Sequence, residues 1–411
     1  MLDNSFREEI ISGWGRSLFS KSKIYLPSNK SQIEEIIFDS PSKNIIARGM
    51  GRSYGNPAQR NLGAVINLKL FNHISIDYDQ LKVTVGGGVT LDDLLKKIVP
   101  NGFFIPVSPG TRFVTVGGAI AADVHGKNHH VDGSFCDFVD YIKLIDGTGK
   151  QITLSPYDSE TSKYFWATCG GMGLTGLIIE AKFSLISIKT SLMNVVSERI
   201  DDLETLMYKM KENDLKYKYN VAWIDSLNAN GRGVITSGEH ALEDEINDYF
   251  SKEKLNLLKY DPKAIANTPN LFPGGVLNNL TVKIFNEAWF RKVPKNGKNS
   301  FDTISSFFHP LDGVKNWNKI YGPKGFLQYQ FVVPDSAAYL ISRTLYELRK
   351  IGAPSFLTVL KRFGNSNQGY LSFPMKGWTL AADVPISTSG LFAVLNDLDQ
   401  EISEVGGKLY L

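Results

Sequence analysis

Three of the six histidines of this chain crowd into one glycine-rich stretch: His125, His129 and His130 within TVGGAIAADVHGKNHHVDGSF, residues 115–135. Two chemistries use such a cluster. A zinc helix of the HExxH kind sets two histidines on one helical face with a glutamate between them. Here Gly126, Lys127 and Asn128 intervene. Glycine after the first histidine argues against that helix and no third ligand is evident, so no metal is expected. The remaining readings are a hydrogen-bonding histidine on a surface loop and an imidazole in a loop that wraps a cofactor. Two more glycine loops bear on the choice, ARGMGRSYGNPA at 47–58 and CGGMGLTG at 169–176. Glycine lets backbone N–H groups converge on an anion and lets the chain approach a flat ligand. A tight turn explains any one loop; three in one stretch favour a large phosphorylated cofactor. Gly171, Gly173 and Gly176 satisfy GxGxxG. A dinucleotide fingerprint needs a strand before it and a helix after it, and this context is reversed.

The elements that must position these loops follow from patterning. KNIIARGMGRSYG predicts a strand running into a glycine loop. AVINLKL, HISIDYD and LKVTVGGG read as strands, the last ending in a glycine run. TLDDLLKKIVPNG predicts a helix, with Thr90 as N-cap, acids in the first turn and Gly102 past the end. FVDYIKLIDGTGKQITLS predicts a hairpin joined at Asp146-Gly147. DSETSKYFWATCGG reads as a helix and LTGLIIEAKFSLISI as a long strand. Beyond residue 190 the texture changes. DDLETLMYKMKEND is a helix with Leu203, Leu206, Met207 and Met210 on one face. Four aromatic-rich strands follow: KYNVAWIDSL, GFLQYQFVVP, FLTVLKRFG and GWTLAADVPI. Two helices accompany them, SAAYLISRTLYELRKIG and TSGLFAVLNDLDQEISEVGG. The mixture predicts an α+β domain on an antiparallel sheet. The stretch 227–320 reads as loop-rich.

Composition bounds the function. At 411 residues the chain exceeds one compact core, so two or three domains are expected. Lys and Arg total 45 against 42 Asp and Glu, giving a net charge of +3, without the strong basic excess of a nucleic-acid binder. The most basic stretches, 209–219 and 291–300, read as solvated surface; the second could also meet an anionic surface. Cys136 and Cys169 form no CxxC, which points away from a disulfide framework and toward a reducing compartment. The charged N-terminus lacks the apolar core of a secretory signal, and no apolar run reaches a membrane span. The expected location is the cytoplasm, with at most peripheral membrane contact.

At the glycine loops the chain resembles a known family. ARGMGRSYGNPAQ, PVSPGTRFVTVGGAIAADVHGKNHHVDGSF, FWATCGGMGLTGLI, YGPKGFLQYQFVVP and LSFPMKGWTLAADVPI are similar to flavoproteins of the vanillyl-alcohol oxidase and p-cresol methylhydroxylase type. Within that type the likeness is to the flavin-dependent 2′-oxidases of prenylphosphoryl ribose, and it runs from GWGR at 13–16 to the last residue. It implies a PCMH-type FAD-binding domain of two α+β subdomains over 1–190. An α+β substrate domain with an antiparallel sheet is implied over 191–411.

The resemblance also implies a site. The cofactor-binding positions fall on Arg48, Gly49, Gly51, Arg52, Ser53, Tyr54 and Gly55 in the first loop. In the second they fall on Gly110, Thr111, Thr115, Gly117, Gly118, Ala122, His125, Gly126, Asn128 and His129, with Ile178 on the adenine side. Some relatives hold FAD covalently through a first-loop histidine; here that place reads Arg52-Ser53-Tyr54, which implies non-covalent FAD. Substrate positions fall on Trp223, Gln328, Gln330, Lys361, Thr379, Ala381 and Tyr410. Thr379 and Ala381 replace the family's asparagine and cysteine. His125, Lys361 and Tyr54 are the implied catalytic residues. The implied reaction is oxidation of the 2′-hydroxyl of a polyprenylphosphoryl ribose, the first half of an epimerisation that a short-chain NAD-dependent reductase completes. Other readings are an aldonolactone or alditol oxidase acting on free sugar, and a flavin-binding protein with impaired catalysis. The last arises because the family continues beyond GGKLYL with a further lysine, so a missing tail is expected.

Overall fold

The computed structural model describes residues 6–40, 44–249, 256–269 and 277–410. Met1–Ser5 of the N-terminal segment and Leu411 lie outside them.

The first half carries two sheets. Strands β1 (Arg7–Ser12), β2 (Phe19–Tyr25), β3 (Ile45–Ala47) and β4 (Ala64–Ile66) form the first, in the order β1-β2-β4-β3, with β4 parallel to both neighbours. Helix α1 (Lys30–Asp39) is capped by the Asn29 side chain and buries Ile33, Ile36 and Ile37 on this layer, the i, i+3, i+4 spacing of one helical face. Next come β5 (Ile74–Asp77), β6 (Lys82–Gly86), β7 (Phe103–Phe104), β8 (Val139–Ile145), β9 (Gln151–Leu154), β10 (Leu177–Ser184) and β11 (Ile186–Ser187). Five of them make an antiparallel sheet, β5-β6-β10-β8-β9. Helices α2 (Leu91–Ile98) and α3 (Val116–Ala121) close over its core, both N-capped by a threonine, Thr90 and Thr115. The short α4 (His129–Asp132) and α5 (Ser162–Thr168) complete this half.

The second half is one eight-stranded sheet. Its strands are β12 (Leu192–Ile200), β13 (Tyr219–Ile224), β14 (Gly233–His240), β16 (Lys298–Thr303), β18 (Phe326–Val333), β19 (Thr358–Phe363), β20 (Gly377–Pro385) and β21 (Lys408–Leu409). The order is β16-β12-β14-β13-β19-β20-β18-β21, antiparallel throughout; β15 (Ala266–Asn267) and β17 (Val314–Lys315) pair separately. Helices α6 (Leu203–Asp214), α10 (Tyr339–Lys350) and α11 (Leu391–Glu404) cover one face through Leu206, Met210, Leu345 and Leu398. The helices α7 (Glu243–Tyr249), α8 (Asn279–Arg291) and α9 (Ile304–Phe308) lie between strands in sequence. The whole is α+β.

Three expectations are corrected. The loop-rich stretch 227–320 holds two strands of the large sheet and helix α8. Strand β14 hid because Gly233 and Gly238 sit where a side chain would strike Leu206 and Phe307, so its apolar alternation is broken. Strand β16, KNSFDT, is a polar edge. The β8–β9 hairpin forms with its turn starting at Asp146, where Gly149 N–H bonds to Asp146 O, but the loop runs over residues 146–150 and not over two residues alone. Asp146 Oδ1 accepts from the N–H groups of Thr148 and Lys150, and the left-handed residue is Gly149. Strand β4 stops at Ile66, because Asn67 turns the chain by accepting from Lys69 N–H.

Candidate active site

The free face of the eight-stranded sheet and the glycine loops of the first half enclose one cavity of about 1040 Å³. Ligand pockets usually span ~300–1000 Å³, so there is room for a large ligand and more. The period-2 alternation of strands puts its floor residues on one face: Gln328 and Gln330, Val359 and Lys361, Val221 and Trp223, Val234 and Thr236. The GWGR segment anchors the first loop. Trp14 and Gly15 donate their N–H groups to the Ser53 and Tyr54 carbonyls, and Phe326 N–H of β18 bonds to Gly15 O. That clasp sets Tyr54 against Phe326, edge on, at 5.6 Å between ring centroids.

Most of the implied cofactor residues line this cavity: Arg48, Gly49, Gly51, Arg52, Ser53, Tyr54, Gly110, Thr111, Thr115, Gly117, Gly118, Ala122, His125, Gly126 and Ile178. Gly55, Asn128 and His129 stand off its wall. Gly55 is exposed, while Asn128 is buried and donates to Pro106 O. The three histidines part company. His130 Nε2 faces the Tyr217 carbonyl at 3.2 Å. His129 Nδ1 accepts from Gly364 N–H, and burial pushes the ring down to about 3. His125 alone turns into the cavity, boxed by Phe363, Phe373 and Tyr410.

The Gln330 amide nitrogen lies 3.3 Å from His125 Nε2 and donates to Thr379 Oγ1 at 3.1 Å. An amide N–H only donates, so Nε2 accepts and the proton sits on Nδ1, which is buried without a partner. Desolvation, then Lys361, hold this imidazole neutral, well below its ordinary range. Lys361 is half-buried, has no carboxylate within salt-bridge distance among the described residues, and is pushed down to about 8 by desolvation. Lys127 sits in the same cavity, donates to Phe307 O, and is pushed to about 7 by desolvation and then by Lys361. Two lysines that share a mostly apolar cavity, both lowered by desolvation, make a receptor for an anion.

Trp223, Gln328, Gln330, Lys361, Ala381 and Tyr410 line the cavity; Thr379 backs it through Gln330. Sequence reasoning passed over four contributors. Lys127 reads in the sequence as a spacer between histidines, and it shares their loop. Gly87 and Gly88 line the cavity, and a Cβ on either would run into the carbonyl oxygen of Ile178 or Leu68. Asp383 is fully buried below Gln328, whose amide donates to it at 2.8 Å, and desolvation lifts its carboxyl to about 8. No local pattern marks Asp383, because its partners come from another strand.

The loops fit FAD. A Cβ built on Gly110 meets nothing within 4 Å, so that backbone faces open cavity. The Arg52 guanidinium stacks over Trp14 at 3.8 Å with its Nε unpartnered, a cation available to a pyrophosphate.

A sequence profile described as an FAD binding domain matches residues 22–155. The chain is similar to the decaprenylphosphoryl-β-D-ribose oxidase of Mycolicibacterium smegmatis, 38% identical over 408 residues, covering 97% of this chain and 87% of that protein. It is similar to an uncharacterised protein of Streptomyces coelicolor, 31% identical, covering 79% of this chain and 88% of the relative. A D-lactate dehydrogenase of Anaerostipes hadrus is 28% identical over 138 residues, 33% of this chain and 29% of the relative.

Proposed function

Since the chain belongs to the decaprenylphosphoryl-β-D-ribose oxidase family and is an FAD-dependent oxidoreductase, we propose that it oxidises the 2′-hydroxyl of a prenylphosphoryl-β-D-ribose to the ketone. The observation that carries this reading is the pair of Lys361 and Lys127 in one largely apolar cavity, neither with a carboxylate within salt-bridge distance among the described residues. The phosphodiester of such a substrate, a single negative charge, is shared between the two, and the apolar walls suit the lipid.

FAD, when bound along the glycine loops, supplies the hydride acceptor for the sugar carbon. Lys361 and Lys127 hold the phosphate and thereby orient the sugar. Gln328 and Gln330 offer amide groups to the sugar hydroxyls. His125 offers the hydroxyl proton its Nε2 lone pair, which must leave the Gln330 amide to accept it, and burial beside Lys361 makes it a weak base. Tyr54, whose phenol burial raises well above its ordinary range, stays protonated and donates. The cofactor is held without a covalent link. A short-chain NAD-dependent reductase would consume the keto product, completing an epimerisation. A lipid-linked substrate also places the protein peripherally at a membrane; among the described residues no helix is long and apolar enough to cross one.

The test is anaerobic bleaching of the flavin. A short-chain prenylphosphoryl ribose is expected to bleach it rapidly and free ribose slowly, and acid precipitation is expected to leave the flavin in the supernatant. Equal rates with free ribose would defeat the phosphate-anchored reading.

A further inference from the structure

The cavity opens to solvent beside helix α8. This helix buries Val282, Asn286 and Phe290, yet leaves Leu280, Ile284, Phe285 and Trp289 at 68%, 62%, 44% and 39% exposure. Surface apolar residues are ordinary when scattered; four large ones on one helix are not. The patch is also the lip of the cavity. Trp289, Lys292 and Val293 belong to the cavity wall, and so does Ile265, which is 93% exposed.

We propose that α8 and this rim are the surface by which the protein docks on an anionic lipid bilayer, with the cavity mouth turned toward the lipid. The proposal rests on the prenylphosphoryl reading and gives that substrate its route. Charge decides the occupant. Lys283, Arg291, Lys292, Lys295 and Lys298 are exposed on the helix and the loop after it. Of the acids nearby, Glu287 pairs with Arg232 and Arg291 and Asp261 with Lys263, while Asp302 of the cavity wall accepts from Ser300 Oγ, so the cations outnumber the acids. An apolar face bordered by lysines is the pattern of a helix lying in a headgroup region. A second copy of the chain packed symmetrically on this face would set the same cations against each other. A bilayer with anionic headgroups neutralises them and covers the apolar stripe. The mouth then faces the phase that holds the prenyl chain, and the phosphate has a short path inward to Lys127 and Lys361.

The experiment is flotation of the holoenzyme with phosphatidylcholine vesicles, with and without phosphatidylglycerol. The native protein is expected to float with the anionic vesicles and to be released by salt. Leu280→Asp with Ile284→Asp, and separately Lys283→Glu with Lys295→Glu, are expected to weaken binding by roughly tenfold or more. None of the four lines the cavity, so flavin content and bleaching by the water-soluble short-chain substrate should persist. Absence of flotation, or variants that float like the native protein, would overturn the proposal. So would a concentration-dependent dimer, abolished by the same variants, without vesicle binding. Bleaching that fails while flotation succeeds would instead remove the substrate reading and leave the docking surface standing.

Discussion

Lys361 carries the most consequence of any one residue. Below about 8 it is charged and above that neutral, so it attracts an anion fully at lower pH and loses that attraction as pH rises. Lys127, near 7, loses its charge first. We expect kcat/KM for a phosphate-bearing substrate to fall as pH rises through this window, read by flavin bleaching across a pH series. Lys361→Gln should flatten the profile, keep its flavin, and lose ~1.5–3 kcal/mol of substrate affinity, roughly ten- to a hundredfold. Loss of FAD would move Lys361 into the cofactor site. Asp383 acts on stability with the opposite charge. Its carboxyl is raised, so burying it disfavours folding only when the unfolded chain is ionised: the penalty is absent below the ordinary carboxylate range, grows with pH, and is complete above about 8. Asp383→Asn keeps an acceptor for Gln328. Its melting temperature should exceed the native value by a margin that widens toward pH 8 and then levels off; a constant margin would show that the carboxyl is not held protonated.

Among the elements, the glycine loops separate two roles that look alike in sequence. Gly87 follows β6, and a side chain there would collide with backbone of β10, which no rotamer can relieve. Gly110 faces open cavity. Gly87→Ala should therefore give unstable protein with little flavin. Gly110→Ala should melt like the native chain and change only the tightness of FAD, as measured by the flavin-to-protein ratio and by flavin release. If Gly87→Ala kept normal stability, the packing of β6 on β10 would be looser than the structure has it.

For the molecule as a whole, the site depends on how the two halves meet. Arg112 is buried between Asp92 at 2.6 Å and Asp312 at 3.4 Å, and Asp312 also accepts from Arg112 N–H and Thr111 Oγ1. This joins α2 and the second glycine loop to the second half. Asp123 does the same from the other side, accepting from Asn367 Nδ2 and Ser372 Oγ. Removing one member of a buried ion pair costs about 3–5 kcal/mol. Arg112→Met leaves Asp312 buried without its cation, so a loss on the order of 3 kcal/mol is expected, seen as a lower melting temperature and faster proteolysis near residues 188–191. An unchanged melting temperature would mean the halves are held together elsewhere.

The sequence by itself determined the family, the cofactor and the α+β class. Those rest on local features, namely glycine loops, threonine-capped helices and alternating aromatic strands, and local features survive in a linear reading. It also brought out most of the residues that line the cavity, through the likeness of their loops. Only the tertiary structure decided which of the three histidines faces the cavity, because that depends on Gly364 and Tyr217, far along the chain, claiming the other two. It alone joined Lys127 to Lys361 and set Asp383 under Gln328, since strand pairing brings those residues together across the sheet. It also showed α8 bare at the cavity mouth. Whether an apolar residue is buried depends on what packs against it, and spacing along one helix does not record that.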